Sequence, residues 1–300
     1  MPLLQPITER ALYIPGANNL GIIATGDGGA IAIDTGIDKD TGRLIRKALD
    51  EAGLRLRAII NTHHHADHIG GNDYLVRNVP GVEICAPPLE AALIEHPELE
   101  PLYLNMGAAP YKALQNKWVM AKGSRVQHLI EEAQIEICGV ALDIVPLAGH
   151  SLNQIGVVFD GVCFAADGFF GTAILQKHGI PYAQDVSGQL RSLRALAERE
   201  ERFFLPGHGE LATREQLADV LHANLAAVER STAAVQAALQ EPCDLATIGR
   251  RVAQTLGLVF AGIPQHAVFT SAVSAHLSYL AAQGVAQPAL EDGSLLWKLV

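Results

Sequence analysis

The chain has 300 residues, 49% of them hydrophobic and 18% charged, which is ample material for a packed core and the wrong balance for a disordered or fibrous protein. Its length predicts one large domain and one small one. With 22 basic against 32 acidic residues the net charge is −10, which works against attraction to phosphate backbones and anionic lipid surfaces, so nucleic acid is not expected as a partner.

The N-terminal segment carries Glu9 and Arg10 and lacks the basic start and continuous apolar run of a signal peptide, so a cytoplasmic location is expected. Apolar runs at 20–24 and 30–33 flank "GDGG" and read as a β-hairpin. After "DTG" at 34–36, Leu44, Ile45, Ala48 and Leu49 recur at helical spacing over 38–52, and a short apolar strand follows at 58–61. Strand, helix, strand is the α/β pattern.

"NTHHHADHIGGN" at 61–72 begins where that strand ends, and "GGNDYLVRNV" reads as a short helix after a Gly-rich turn. The histidines therefore lie on a strand-to-helix loop, a usual place for ligands in α/β folds. A strand at 82–86 and a helix at 88–95 lead into an irregular insertion, 96–124, with Tyr103, Met106, Tyr111, Trp118 and Met120. It is either a lid or substrate wall, or a surface helix pair packing its aromatics into the core.

Strands are predicted at 133–137, 141–145, 155–159 and 162–166, then a helix at 189–198 and a strand at 203–205 that closes the first domain at "PGHGE". Cys85, Cys138, Cys163 and Cys243 are widely spaced and read as buried reduced thiols, not as a disulfide framework or zinc ribbon. The organisation expected is a catalytic domain over 1–211, a linking helix over 212–240 and a C-terminal domain over 241–300. That last domain has helices at 245–256 and 267–282 and a hairpin at 285–300.

Residues 252–290 hold no Lys, Arg, Asp or Glu, but Gly262, Pro264, Gln265, His266, Ser271, Ser274, His276 and Gly284 interrupt them too often for a membrane span. Two helices and a two-stranded wing outline a winged helix. The presumed recognition helix has no Lys or Arg to neutralise phosphates, so DNA binding through it is not expected.

His63, His65, Asp67 and His68 form H-x-H-x-D-H, every member of which suits a borderline divalent metal such as zinc. Left unliganded in an apolar core, each unsatisfied group would cost about 1–3 kcal/mol. His150 in "LAGHS", Asp167 in "FAADG" and His208 in "LPGHGE" each follow an apolar strand and sit beside a glycine, which points to one shared sheet edge.

On these motifs, in this order from Asp34 of "DTG", the chain resembles the metallo-β-lactamase superfamily over roughly residues 8–210. The resemblance implies an αββα sandwich with a dinuclear metal site, followed here by the small, mostly helical, winged-helix-like tail. It implies that His63, His65 and His150 hold one ion and that Asp67, His68 and His208 hold the other. Asp167 would bridge both, Asp34 would orient the histidine loop from behind, and Asp67 and Asp167 would be the catalytic carboxylates. The ions expected are divalent, zinc first, with iron or manganese as alternatives. Two ions about 3.5–4 Å apart can share a hydroxide and polarise the oxygen of the bond it attacks.

His178 and Tyr182, in "LQKHGIPY" on the loop expected over 168–185, are either substrate contacts or proton donors, or ordinary loop residues. His64 alternates away from its neighbours and either faces outward or packs. His96, His128, His222, His266 and His276 have weaker claims.

"THHHADHIGGN" is similar to the glyoxalase II pattern, which implies hydrolysis of a glutathione thioester. The chain nevertheless has "DGFFGTAIL" where that group has a Gly-Cys-Gly-Arg loop, and "PGHGE" in place of Gly-His-Glu-Tyr. "HADHIGG" is also similar to the persulfide dioxygenases, which use one iron for an oxidation. The combination with a winged-helix-like tail resembles hydrolases whose animal member is an endoribonuclease. The acidic balance favours a small-molecule substrate, an ester, thioester or lactone. The tail is expected either to pack over the site's rim or build a homodimer contact, with Leu277, Tyr279, Leu280 and Trp297 as apolar surface, or merely to tuck against the first domain of a monomer.

Overall fold

Along the strand Gly29–Ile33, Ile31 and Ile33 point to one side and Ala30 and Ala32 to the other, and each set enters a separate core. The same alternation along every central strand makes two sheets that are apolar on both faces, so each must be covered twice. The computed structural model describes residues 3–300.

The first sheet has seven strands in sequence order: Gln5–Pro6, Ala11–Ile14, Leu20–Ala24, Gly29–Ile33, Arg55–Ile60, Glu83–Ala86 and His128–Leu129. It is antiparallel up to Gly29–Ile33 and parallel beyond. The second has six, ordered Ala212–Thr213, Phe203–Pro206, Val162–Ala166, Ile155–Phe159, Val140–Pro146 and Gln134–Ile137.

Between the sheets lie Ile23, Ile31, Ile60, Val157 and Phe164. Outside the first, Ile45, Ala48 and Leu49 of helix Lys39–Glu51 and Leu75 of helix Asn72–Asn78 cover Ile22 and Ile59. Outside the second, helices Val186–Ala197 and Arg214–Ala237 bring Leu193, Leu196, Leu217 and Leu221 onto Cys163, Ala165 and Phe204. This is the αββα sandwich expected from the sequence.

Both long covering helices start from side-chain caps. Asp38 accepts from the amides of Asp40 and Thr41, and Thr213 forms a capping box with Gln216.

Strand direction fixes where loops collect. Gly29–Ile33 and Arg55–Ile60 run parallel, and in the second sheet Val140–Pro146, Val162–Ala166 and Phe203–Pro206 share one direction. The segments that follow them carry Asp34, His63–His68, His150, Asp167 and His208. The Ile155 amide donates to Thr62 O across the sheets at 3.1 Å, closing the two loop sets on each other.

The structure adds to several expectations and corrects others. Ahead of residue 20 it adds the edge strands Gln5–Pro6 and Ala11–Ile14. The insertion contains helix Leu99–Leu104 and a single tight turn, Lys112–Leu114. Residues 168–185, expected as loop, contain helix Thr172–His178. Cys138 is exposed in a turn, whereas Cys85 and Cys163 are buried, their thiols pushed up to about 12 by that burial, and all four cysteines are free.

The tail consists of helices Leu245–Leu256 and Ile263–Ala282 and the hairpin Ala286–Glu291 with Ser294–Leu299. Its core joins Val235 and Leu239 at the end of the long helix to Ile248, Val252, Phe269, Val273, Leu277 and Leu280, and it takes in Ile180 and part of Tyr182. Leu277 and Leu280 are thus internal and are not surface for a partner. Helix Ile263–Ala282 also rests on Leu99–Leu104 and Lys112–Leu114, so the tail packs against the insertion. Among the described residues no helix is long and apolar enough to cross a membrane.

His276 is buried between helices Arg214–Ala237 and Ile263–Ala282, its Nδ1 2.9 Å from the Thr232 hydroxyl. Burial pushes its pKa down to about 4, against about 6.5 in an unfolded chain. The unfolded chain therefore takes up the proton first: this contribution is fully present above about pH 6.5 and is lost as the pH falls toward about 4, an effect of roughly 2–3 kcal/mol. Denaturant titrations between about pH 7 and about pH 4 should show that loss in the wild type, and His276→Gln should make the profile flatter over the same window.

Candidate metal centre

The loop 61–72 is held by backbone packing before any histidine is considered. A Cβ on Gly70 would lie 2.1 Å from Ile37 O and one on Gly71 2.4 Å from Thr35 O, so the "DTG" and "HIGG" segments meet main chain to main chain. The Asn72 amide donates to Asn61 Oδ1 at 2.7 Å, and Thr35 Oγ1 donates to Asn72 Oδ1 at 2.8 Å, closing the two ends of the loop.

Asp34 sits at φ 60°, a left-handed conformation uncommon for a side-chain-bearing residue. Its Oδ1 accepts from the Thr62 amide at 2.8 Å, and its Oδ2 from the Thr62 hydroxyl at 2.7 Å and from His68 Nδ1 at 2.8 Å. Because the Thr62 hydroxyl donates to Asp34, the His63 Nδ1–H must donate to Thr62, at 3.0 Å, which leaves Nε2 as the ring's lone pair.

The same device recurs across the cleft. His150 Nδ1 donates to Tyr182 O at 3.0 Å and His208 Nδ1 to Ala17 O at 2.7 Å, so both rings turn Nε2 inward. His65 presents Nδ1, 2.8 Å from His150 Nε2. Asp167 lies between: Oδ1 is 3.4 Å from His68 Nε2, and Oδ2 is 3.3 Å from His150 Nε2 and 3.6 Å from His208 Nε2. Asp67 Oδ2 is 3.2 Å from His208 Nε2.

Two triplets of donor atoms, His63–His65–His150 and Asp67–His68–His208, each fall within 4.8 Å of one another, as a single ion requires; Asp34, His63 and His68 make a third. Asp34 is the poor donor in this last group, because both its oxygens already accept hydrogen bonds. His63 Nε2, His68 Nε2 and Asp167 Oδ1 are buried without a hydrogen-bond partner. Orphaned donors of these types gathered in one cluster suit borderline divalent cations.

Charge is distributed unevenly. Burial and the surrounding imidazoles hold His63 and His65 well below the usual histidine range, and burial lowers His150, so these three stay neutral. Burial opposes a proton on His68 and His208 too, but the carboxylates of Asp167, Asp34 and Asp67 outweigh it at His68, and those of Asp167 and Asp67 raise His208 to about 9. Burial also opposes ionisation of Asp167, yet His208, His68 and His150 bring it down to about 2. Two protons held among buried carboxylates are the ones a cation would displace.

Every residue of the expected ligand set, with Asp34, is therefore in one cluster. Tyr182 joins it, its ring edge-on to His65 at 5.5 Å and to His150 at 5.4 Å. His178 does not: it lies exposed at the end of its helix. His64 is the buried alternative, its ring within 2% of full burial.

Sequence reasoning missed Asn18, whose amide donates to Asp67 Oδ2 at 3.1 Å, and Asn224, whose side chain bonds both the amide and the carbonyl of Phe170 beyond Asp167. It also missed Glu90, which bonds His64 opposite Tyr103 of the insertion. The one available signal was Glu90, an acid in the otherwise apolar run "PPLEAALI".

The family model described as the metallo-beta-lactamase superfamily matches residues 13–208. A hydroxyacylglutathione hydrolase of Vibrio campbellii is 31% identical over 134 residues, which is 45% of this chain and 41% of that protein. One of Gloeobacter violaceus is 26% identical over 223 residues, 67% of this chain and 75% of that protein. The chain spans about half the length of the first curated relatives it matches. Among solved structures, a metallo-beta-lactamase family protein from Thermus thermophilus covers 100% of this chain and 99% of its own, with a TM-score of 0.73 at 18% identity. A beta-lactamase domain protein from Burkholderia ambifaria covers 99% and 93%, with a TM-score of 0.72 at 20% identity. The shared fold thus runs through the tail.

Asp34→Asn should weaken zinc binding about 10–100-fold, read by competition with a chromogenic chelator. Gly207→Ala should do at least as much, because its methyl group would lie 2.3 Å from Asp167 Oδ1 and 2.8 Å from His68 Cε1.

Proposed function

Because the chain belongs to the metallo-beta-lactamase superfamily, we propose that it is a metal-dependent hydrolase with two divalent ions, zinc first, acting on a small thioester, ester or lactone. The observation that carries this reading is the set of inward, partnerless donors, His63 Nε2, His68 Nε2 and Asp167 Oδ1, on rings whose outer nitrogens are already tied. His63, His65 and His150 hold one ion and Asp67, His68 and His208 the other, with Asp167 facing both and Asp34 fixing the ring of His68.

When bound there, such ions supply an activated water near neutral pH and a Lewis acid for a carbonyl oxygen. The chain's own residues do the rest. Asp67 stays ionised although burial opposes it, because His68 and His208 hold its carboxyl well below the usual range. Its Oδ2 is engaged by Asn18, and Oδ1, which has no hydrogen bond among the described residues, is the atom to receive a proton from the attacking water. The Tyr182 ring walls the side of His65 and His150.

The names of the curated relatives favour a thioester among the candidate substrates. The departures from the glyoxalase II pattern at 167–175 and 206–210 support a range wider than glutathione conjugates.

Protein purified without added metal should carry two equivalents of zinc per chain. A panel containing a 2-hydroxyacyl glutathione thioester, a γ-lactone, a p-nitrophenyl ester, a phosphodiester and a β-lactam should show hydrolysis of one of the first three. Chelation should abolish it, zinc should restore it, and Asp67→Ala should lower kcat by about 10²-fold or more. One iron per chain with oxygen uptake, or two zinc ions with no hydrolysis of any panel member, would overturn the reading.

A further inference from the structure

His64 belongs to none of the donor triplets, yet both of its ring nitrogens are hydrogen-bonded. Its amide donates to Glu90 Oε2 at 3.0 Å and its ring Nδ1 lies 2.5 Å from the same oxygen. The other oxygen, Oε1, accepts from the Ser151 hydroxyl at 2.6 Å and from the Asn153 amide at 2.9 Å. A single carboxylate, 1% exposed on helix Pro88–Glu95, therefore joins the loop of His63 and His65 to the loop that follows His150. Burial works against its ionisation, and the bonds from His64, Ser151 and Asn153 nonetheless keep it below the usual range.

That accounts for one face of the His64 ring. The opposite nitrogen, Nε2, is 3.1 Å from the phenol oxygen of Tyr103, and this oxygen accepts from Gln184 Nε2 at 3.3 Å. The ring thus bonds Glu90 through one nitrogen and the Tyr103 phenol through the other. Tyr103 stands on helix Leu99–Leu104 of the insertion, and Gln184 on the segment that carries Tyr182. Among the described residues, Tyr103 is the one side chain of that helix hydrogen-bonded to the metal-side loops or to the Tyr182 segment. Were His64 needed only to satisfy Glu90, nothing would require its second nitrogen to reach the insertion.

We propose that His64 is a positioning residue: it links the buried Glu90 carboxylate to the Tyr103 phenol and so fixes the insertion as the substrate-side wall of the centre, with Tyr103 as the contact that sets affinity. This deepens the hydrolase reading above and rests on it for its kinetic part.

The test compares the wild type with His64→Asn, Tyr103→Phe and the double variant. Asparagine keeps an N–H for Glu90 but has no atom long enough to reach Tyr103. Zinc content per chain should stay at the wild-type value in all three. KM for the fastest-hydrolysed member of the panel should rise about tenfold in each, equivalent to about 1.4 kcal/mol, with kcat changing much less, the pattern of lost uniform binding. The double variant should be no worse than either single, because the two groups act in series.

Chymotryptic cleavage at Tyr111 and Trp118, which are 48% and 65% exposed on the insertion, should accelerate in all three variants. Loss of zinc in His64→Asn would overturn the proposal by making His64 a ligand. Unchanged KM and unchanged cleavage in Tyr103→Phe would overturn it by reducing the contact to packing. Should His64→Asn fail to fold, Tyr103→Phe decides through the same two readings. If the wild type hydrolyses no panel member, the hydrolase reading fails, while the cleavage rates still decide for or against the brace.

Discussion

Both oxygens of Asp34 face the loop of the neighbouring strand, and the geometry of the metal centre depends on that contact. To reach Thr62 and His68 the chain turns at φ 60°, a conformation that costs a residue other than glycine about 1–3 kcal/mol. Three hydrogen bonds to a buried carboxylate, each worth about 1.5–3 kcal/mol, offset that cost. A glycine would relax the backbone and lose the contact that orients both His68 and, through the Thr62 hydroxyl, His63.

The remaining architecture keeps those rings from collapsing onto one another. Five imidazoles and two carboxylates converge at one edge of the sandwich, a poor arrangement for stability because partnerless nitrogens and carboxylate oxygens are left inside. Their positions come instead from strand ends whose apolar residues are committed to the cores on both faces of each sheet. Glycines at 70, 71 and 207 let main chain and ligands approach where any side chain would intrude. Asn224 on the long helix and Ile180 in the tail core hold the segment beyond Asp167, so the tail belongs to the wall of the site.

Polar connections through the cleft run along two separate lines. Asp34, Thr62, His63 and His68 fix the rings from below, while Glu90, His64, Tyr103 and Gln184 reach upward to the insertion. Both begin at a buried carboxylate that accepts several hydrogen bonds, and both pass through "THHHADH". Neighbouring histidines therefore serve opposite purposes: His63 and His65 present lone pairs inward, and His64 joins the loop to what covers it.

The α/β pattern was legible in the sequence because apolar periodicity encodes strands and helices and the motifs at strand ends encode which edge carries polar side chains; the αββα sandwich came from the family resemblance that those motifs carry. Short edge strands at 5–6 and 11–14 and the helix Thr172–His178 were not legible, since each is held by its neighbours more than by its own periodicity. The expected ligand set and Asp34 gathered as their types and spacing suggested, whereas Asn18, Glu90, Tyr103 and Asn224 are ordinary residues in ordinary local contexts. By itself the sequence determined the chemistry of the centre, because metal-competent side chains must sit close together on few loops. Only tertiary structure decided that His64, which alternates away from its neighbours, packs inside instead of facing outward, because that outcome depends on partners 26 and 39 residues away from it.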